Sequence, residues 1–163
     1  MKYGDGNTLG DGNTLGNKNT LGNWNTLGND NTLGNDNTLG NKNTLGNWNT
    51  LGDGNTLGDG NTLGNWNTLG NCLRYGERLT VAGVKVRRLM TMANVDGSGR
   101  QVLVLAHTEG VKIECGCFSG TLDEFCAKAE SEGKNRYSRV VRAAVEAFVA
   151  CLDEDGITGG WEN

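Results

Sequence analysis

A six-residue repeat runs from Asn7 to Gly70 and restricts the fold of this chain more than any other feature. The tetrapeptide Asn-Thr-Leu-Gly recurs eleven times, always six residues apart, within the hexad Gly-(Asn/Asp)-x-Asn-Thr-Leu. Six residues suit a short strand and a corner, whereas a helix would not tolerate Gly, Asn and Thr in every turn. The repeat therefore predicts a stacked β-solenoid.

Strand geometry assigns each position of the hexad to a side of the coil. Successive strand residues point to opposite faces, so Asn and Leu share one face and Thr takes the other. Leu is the aliphatic residue, so Leu and Asn are predicted to face inward and Thr to face solvent. A buried carboxamide needs a partner, and stacked side-chain amides are expected to bond to one another in ladders. The Asp-Gly corners supply the positive φ of a tight turn.

The number of hexads in one coil remains open. The register runs from Tyr3 to Tyr75. At about 18 residues per coil this makes four coils, roughly 19 Å of stacking at about 4.8 Å each. Such a coil would stack Lys18 with Asp36, Trp24 with Lys42, and Trp48 with Trp66. A flatter 12-residue coil, made of two hexads, is the alternative.

The hexad resembles the repeat of left-handed parallel β-helices, in which an aliphatic residue is followed by Gly and corner residues. The resemblance implies left-handed, three-sided coils, although Asn stands where that family has a small or β-branched residue. Such helices are often acyltransferases that use a His at a coil edge. The one His of this chain is His107, beyond the array. Acyl transfer is therefore not expected, and the chain is predicted not to be an enzyme.

The residues after the array predict a small α+β domain. Strands are expected at 84–92, 101–107 and 111–118, as a three-stranded antiparallel meander with turns at 96–99 and 108–110. Thr121 and Glu124 form a capping box that opens a helix, and a second helix is expected at about 138–152. The fold class is thus mostly β. The predicted domains are a solenoid at 1–82, the α+β domain at 83–155 and a flexible acidic tail at 156–163.

The segment from Gly116 to Phe125 reads Gly-Cys-Phe-Ser-Gly-Thr-Leu-Asp-Glu-Phe. It resembles a module of phage and prophage proteins without an assigned activity, some of which carry Asn/Gly hexad arrays upstream. The resemblance covers about the C-terminal half of the chain. It implies a phage origin and brings no catalytic residues with it.

Charge and cysteine content argue against several classes of function. The formal net charge of -4 is shared evenly between residues 1–75 and 76–163, so a nucleic-acid partner is not expected. No apolar run of about 18 residues predicts a membrane span, and no secretion signal is expected. The five cysteines all lie at or beyond Cys72, which fits a reduced protein of the host cytosol.

Two groups of residues are candidates for binding. Exposed aromatic and basic side chains at the variable corner position predict a binding or oligomer-contact surface. Its members are Trp24, Trp48, Trp66, Lys18 and Lys42. A basic group early in the second domain predicts either a solvated face or an anion-binding site. Its members are Lys85, Arg87 and Arg100.

The motif Cys115-Gly-Cys117 and His107 raise the question of zinc. Cys-x-Cys is not the usual ligand spacing, and no second pair follows. Alternation along a strand would place Cys115 and Cys117 on one face, where packing is the favoured interpretation. No metal and no cofactor are expected.

Together these features predict a non-enzymatic, phage-encoded accessory protein. It would be a homo-oligomer, a dimer or trimer, because open coil ends expose unpaired strand edges. It would bind and block a host macromolecule, in particular a host protein, or a small ligand, as in counter-defence. Two alternatives remain: a structural rod in a virion, and an ice- or carbohydrate-binding solenoid.

Overall fold

The computed structural model describes residues 1–154. The chain divides into two compact units, Met1–Lys85 and the residues from Val86 onward. The first unit contains β-strands and turns, and the second combines one sheet with two helices. The tail predicted at 156–163 lies outside the described residues.

Two-residue strands build the first unit, one in each hexad. The strands are β1 (Lys2–Tyr3), β2 (Thr8–Leu9), β3 (Thr14–Leu15), β4 (Thr20–Leu21), β5 (Thr26–Leu27), β6 (Thr32–Leu33), β7 (Thr38–Leu39), β8 (Thr44–Leu45), β9 (Thr50–Leu51), β10 (Thr56–Leu57), β11 (Thr62–Leu63), β12 (Thr68–Leu69), β13 (Arg74–Tyr75), β14 (Thr80–Val81) and β15 (Val84–Lys85).

Every third strand pairs in parallel, so one coil contains three hexads. Thr20 aligns with Thr38, and Thr26 aligns with Thr44. Three sheets result, in the orders β1-β4-β7-β10-β13, β15-β14-β11-β8-β5-β2 and β12-β9-β6-β3. The predicted parallel β-solenoid of about four 18-residue coils is therefore confirmed, and the 12-residue coil is wrong. The left-handed sense stays a prediction.

The predicted orientation of the hexad is confirmed. From Leu15 to Leu69 every repeat Leu is buried, and so is every repeat Asn from Asn19 to Asn67. The repeat Thr side chains are exposed or half-buried. One Leu per side fills the interior together with one carboxamide.

The prediction that the buried Asn side-chain amides bond to one another is wrong. They bond to backbone groups of the neighbouring coil and of their own corner. In the pair Asn37 and Asn55, Oδ1 of Asn55 accepts the backbone N–H of Asn37 at 2.7 Å. Nδ2 of Asn55 donates to the carbonyls of Gly52 and Gly34 at 2.6 and 3.0 Å. The reason is strand length: two-residue strands leave the Asn N–H and the Gly carbonyl at the corner without a strand partner, and buried backbone groups need one.

A second ladder runs along the corners in the opposite sense. The Asn or Asp after each Gly accepts, through Oδ1, the backbone N–H of the equivalent corner residue in the next coil. Asp5 with Asn23 and Asn23 with Asn41, both at 2.7 Å, are examples. The variable residue that follows has positive φ at Gly6, Gly12, Gly54 and Gly60, as predicted, but also at nine corners without Gly, with φ between 56° and 61°.

The second unit has a four-stranded antiparallel sheet, one strand more than predicted. Its strands are β16 (Arg88–Ala93), β17 (Gln101–His107), β18 (Gly110–Cys115) and β19 (Phe118–Thr121), in that order across the sheet. The segment predicted as one strand at 111–118 turns at Gly116, where φ is 56°. The segment 84–92 is also divided, because β15 pairs antiparallel with β14 in the solenoid.

Two helices complete the second unit, α1 (Leu122–Ser131) and α2 (Asn135–Glu154). The capping box that opens α1 is present: Thr121 Oγ1 accepts the Glu124 N–H, and Glu124 Oε2 accepts the Thr121 N–H. Both helices pack on one face of the sheet in a shared core, of which Val104, Ile113, Phe125, Val141 and Val145 are members.

Candidate functional site

The three-hexad coil sorts the variable corner residues into three columns, one for each corner. Trp24 and Lys42 lie in the first column, and Trp48 and Trp66 in the second. Lys18 and Asp36 share the third, where they are in register one coil apart. The five binding residues predicted from the sequence are thus divided among three corners. We call the first column the cation–aromatic ridge and the second the indole ridge.

The cation–aromatic ridge places a charge over a ring. Lys42 Nζ lies 4.3 Å from the ring centroid of Trp24, and 61% of Trp24 is exposed. Such a contact at an exposed site contributes about 0.5–1 kcal/mol. Most of the indole surface therefore remains accessible to a partner.

The indole ridge consists of two rings from adjacent coils. The centroids of Trp48 and Trp66 are 4.9 Å apart, with 33° between the ring planes. Trp48 is 44% exposed, and Trp66 is half-buried. The pair forms a contiguous aromatic strip along the corner.

The three tryptophans at the solenoid corners occupy a strained backbone conformation. Their φ values are 60° for Trp24, 61° for Trp48 and 57° for Trp66. A left-handed conformation costs a residue with a Cβ about 1–2 kcal/mol relative to the right-handed one. Gly occupies the same position at four other corners, so the repeat offers a less strained residue. The aromatic side chains are kept at some cost to stability.

The two ridges border the same side of the solenoid. That side is the sheet containing β2, β5, β8, β11 and β14, and Thr26 and Thr44 face outward from it. Lys42 and Trp48 stand at the two ends of one coil side, one hexad and at most about 20 Å apart. We call this side with its two ridges the Trp face. Lys18 lies outside it, on the third corner.

The structure separates two members of the predicted anion-binding group, Arg87 and Arg100. Lys85 ends the solenoid strand β15, and Arg87 precedes β16. Arg88 pairs with Ala106 but Ala93 pairs with Gln101, so Arg100 lies at the far end of the β16–β17 hairpin, roughly 20 Å from Arg87. The reason is the hairpin register: Arg100 lies opposite Asn94, just after β16 ends, whereas Arg87 lies just before β16 begins.

The cysteine motif is split by the turn at Gly116. Cys115 packs against the core, whereas Cys117 is exposed in the turn. The expected packing therefore holds for Cys115, and the expectation that both share one strand face is wrong. In the described range no group of three or more His, Cys, Asp or Glu residues could hold a metal ion. His107 accepts the Glu109 N–H at Nδ1, 3.3 Å away, and partial burial lowers its pKa.

A cleft in the second unit was not predicted. It has a volume of about 410 Å³ and is lined by residues that include Arg100, Phe118, Lys128 and Lys134. The lining residues come from three stretches of the chain, at 100, 115–118 and 125–137, and no local spacing in the sequence connects these stretches.

Neither helix of the described residues has the length and apolar character of a membrane-spanning segment.

Comparisons with protein-family models, with curated proteins and with solved structures found no significant match to this chain.

Proposed function

We propose that this chain is a non-enzymatic binding protein whose Trp face docks a partner protein. In the setting that the phage resemblance implies, the partner is a host protein that the chain blocks as a phage accessory factor. The observation that carries the proposal is the pair of exposed tryptophans, Trp24 and Trp48, held at positive φ on two corners of one side.

Strain of this kind supports a binding role. Residues in costly backbone conformations persist where the side chain serves a purpose other than stability. Trp is also the residue type that most often dominates binding energy at protein interfaces. A rigid frame adds to this, because a ladder of hydrogen bonds holds the backbone of each corner in place before a partner arrives.

Substitution of Trp by Gly gives a clean test. The column of Trp24 already contains Gly6 and Gly60, with φ of 70° and 66°, and the column of Trp48 contains Gly12, with φ of 69°. Trp24→Gly and Trp48→Gly therefore relieve strain and should leave the coil intact. The matched control is Asp36→Gly on the third corner, where φ is 56°.

Wild type and the Asp36→Gly control should both capture a specific host protein. The Trp24→Gly/Trp48→Gly double variant should lose that capture. Pull-down with mass spectrometry, followed by measurement of affinity for the captured protein, reads this out. Undiminished affinity in the double variant would show that the Trp face is not the docking surface. Light scattering of the same samples tests whether the face instead joins copies of this chain as a dimer or trimer.

A structural rod is the second candidate function. It is favoured by the two hydrogen-bond ladders, which link each coil to the next along the solenoid. Mass spectrometry of purified virions separates the two roles, since a rod component is present in particles and a blocking factor is not.

A further inference from the structure

The cleft of the second unit has the size of a small-molecule site. Its volume of about 410 Å³ lies within the range of about 300–1,000 Å³ typical of ligand pockets. The cleft belongs to the second unit alone, so its role is separate from that proposed for the Trp face.

The floor of the cleft is aromatic. Phe125 packs edge to face against Phe118 and against Tyr137, with ring centroids 5.5 Å apart in both pairs. Phe125 and Tyr137 are buried, whereas Phe118 is half-buried and open to the cleft. The Tyr137 hydroxyl lies 3.3 Å from Cys115 Sγ. Burial, and then this hydrogen bond, raises the pKa of Tyr137 above its ordinary value of 10.0, so the phenol on the floor carries no charge at neutral pH.

The rim of the cleft is cationic. Among its lining residues are three positive side chains, Arg100, Lys128 and Lys134, and one carboxylate, Glu132. Glu132 pairs with Lys128 at 3.1 Å and with Lys134 at 2.9 Å. Asp96, whose pKa is lowered by hydrogen bonds from Ser98 and further by the charge of Lys134, stands nearby. An excess of positive charge remains on the lining.

Arg100 is the cation available to a ligand. Its side chain is exposed and makes no hydrogen bond or ion pair with any other residue in the range 1–154. A guanidinium presents a planar fork of donors that matches phosphate and carboxylate groups. The two lysines, held by a single shared carboxylate, can each direct further donors to the same group.

We infer that the cleft binds a small planar aromatic anion, with its ring on Phe118 and its phosphate or carboxylate on the cationic rim. The apolar floor of the cleft suits the aromatic ring of such a ligand, and the free guanidinium of Arg100 suits its anionic group. A nucleoside monophosphate and an aryl carboxylate share this chemistry.

Four probes, each tested against the full chain, distinguish the contribution of the aromatic ring from that of the anionic group. They are adenosine 5′-monophosphate, indole-3-carboxylate, adenosine and inorganic phosphate. Calorimetry and ligand-observed NMR should detect binding of the monophosphate, the carboxylate or both, at least about tenfold tighter than adenosine or phosphate alone. The relative affinity of the first two identifies the source of the anion. Absence of binding by both, or phosphate binding as tightly as either, would overturn the inference.

Three variants locate the site. Arg100→Gln should weaken binding about tenfold, since it removes a charge-assisted contact. Glu132→Gln should tighten it severalfold, because both lysines lose a competing carboxylate. Lys85→Gln changes a cation outside the cleft and should leave affinity unchanged. All three positions are exposed, so the fold should persist. Equal affinity in wild type, Arg100→Gln and Glu132→Gln would contradict the assignment.

Discussion

At the scale of single residues, each invariant position of the hexad has its own physical reason. Leu fills the core, Asn satisfies corner backbone groups, and Gly allows coils to approach. The Gly that follows each repeat Leu does not have positive φ. Wherever a coil precedes it, this Gly is needed because a side chain at its position would collide with that coil. At Gly40 an added Cβ would lie 2.8 Å from the carbonyl oxygen of Gly22 in the preceding coil, and closer still to Asn23 Oδ1.

A Gly-to-Ala comparison tests this close approach. Gly40→Ala should lower the free energy of unfolding by about 1–3 kcal/mol, as other overpacking substitutions do. Gly10→Ala is the matched control, because nothing lies within 4 Å of its Cβ position, and its effect should stay within about 0.5 kcal/mol. Chemical denaturation measures both. Equal losses in the two variants would contradict a steric origin.

The buried Asn side chains allow a second comparison of single substitutions, one at a buried Asn and one at an exposed Asn. Asn55→Ala removes the acceptor of the Asn37 N–H and the donor to two Gly carbonyls. Each buried group left unpaired costs about 1–3 kcal/mol. Asn7→Ala changes the same hexad position where the side chain is exposed, and it should have little effect. Thermal unfolding followed by circular dichroism distinguishes them, and comparable melting temperatures would exclude the proposed role of the amide.

At the scale of elements, the N-terminus of helix α1 is stabilised by a capping box that depends on the charge of Glu124. Glu124 accepts hydrogen bonds from the backbone and the hydroxyl of Thr121, which lower its pKa below the ordinary value of 4.5. A carboxyl with a lowered folded-state pKa stabilises the fold above its unfolded pKa, and this contribution is lost as pH falls through the folded value.

Replacing the Glu124 carboxylate tests whether its charge stabilises the folded protein. Glu124→Gln keeps an acceptor for the Thr121 N–H but loses the charge. Wild type should be the more stable protein at neutral pH, and its advantage should shrink as pH falls below about 4.5. Denaturant unfolding at several pH values measures the difference. A difference that does not change with pH would show that the charge of Glu124 contributes nothing to the cap.

At the scale of the whole solenoid, the hexads are nearly identical, so the fold should survive the deletion of one complete hexad. Any hexad fits any side, so deletion of residues 55–60 should preserve the β-solenoid. Trp48 and Trp66 would then be two hexads apart and on different corners, because only a spacing of three hexads stacks two residues. The wild type should show an exciton couplet of the indole pair in circular dichroism, because the two rings are in contact. In the deletion variant this couplet should disappear while the β signal remains.

Deletion of residues 7–12 is the matched control for that experiment. It also removes one hexad but leaves the three-hexad spacing of Trp48 and Trp66 intact, so the couplet should persist. If the couplet survived both deletions, the ring contact could not depend on the coil register.

Features that depend on local spacing could be predicted from the chain alone. The six-residue period and the alternation of Asn, Thr and Leu predicted the parallel solenoid, the buried Leu and Asn, and the exposed corners at Trp24 and Trp48. The Thr121–Glu124 box predicted the start of α1. These features follow from neighbours a few residues apart in the chain, and the structure confirms them.

Features that depend on distant residues required the folded structure. Coils of two or three hexads satisfy the same repeat, so only strand pairing selected three sides and assigned Trp24, Trp48 and Trp66 to two ridges. The carboxamides bond to the backbone because two-residue strands leave corner groups unpaired. The antiparallel register separated Arg100 from Arg87, and the packing of α1 and α2 on the sheet brought Arg100 and Lys134 to one cleft, which no spacing in the chain encodes.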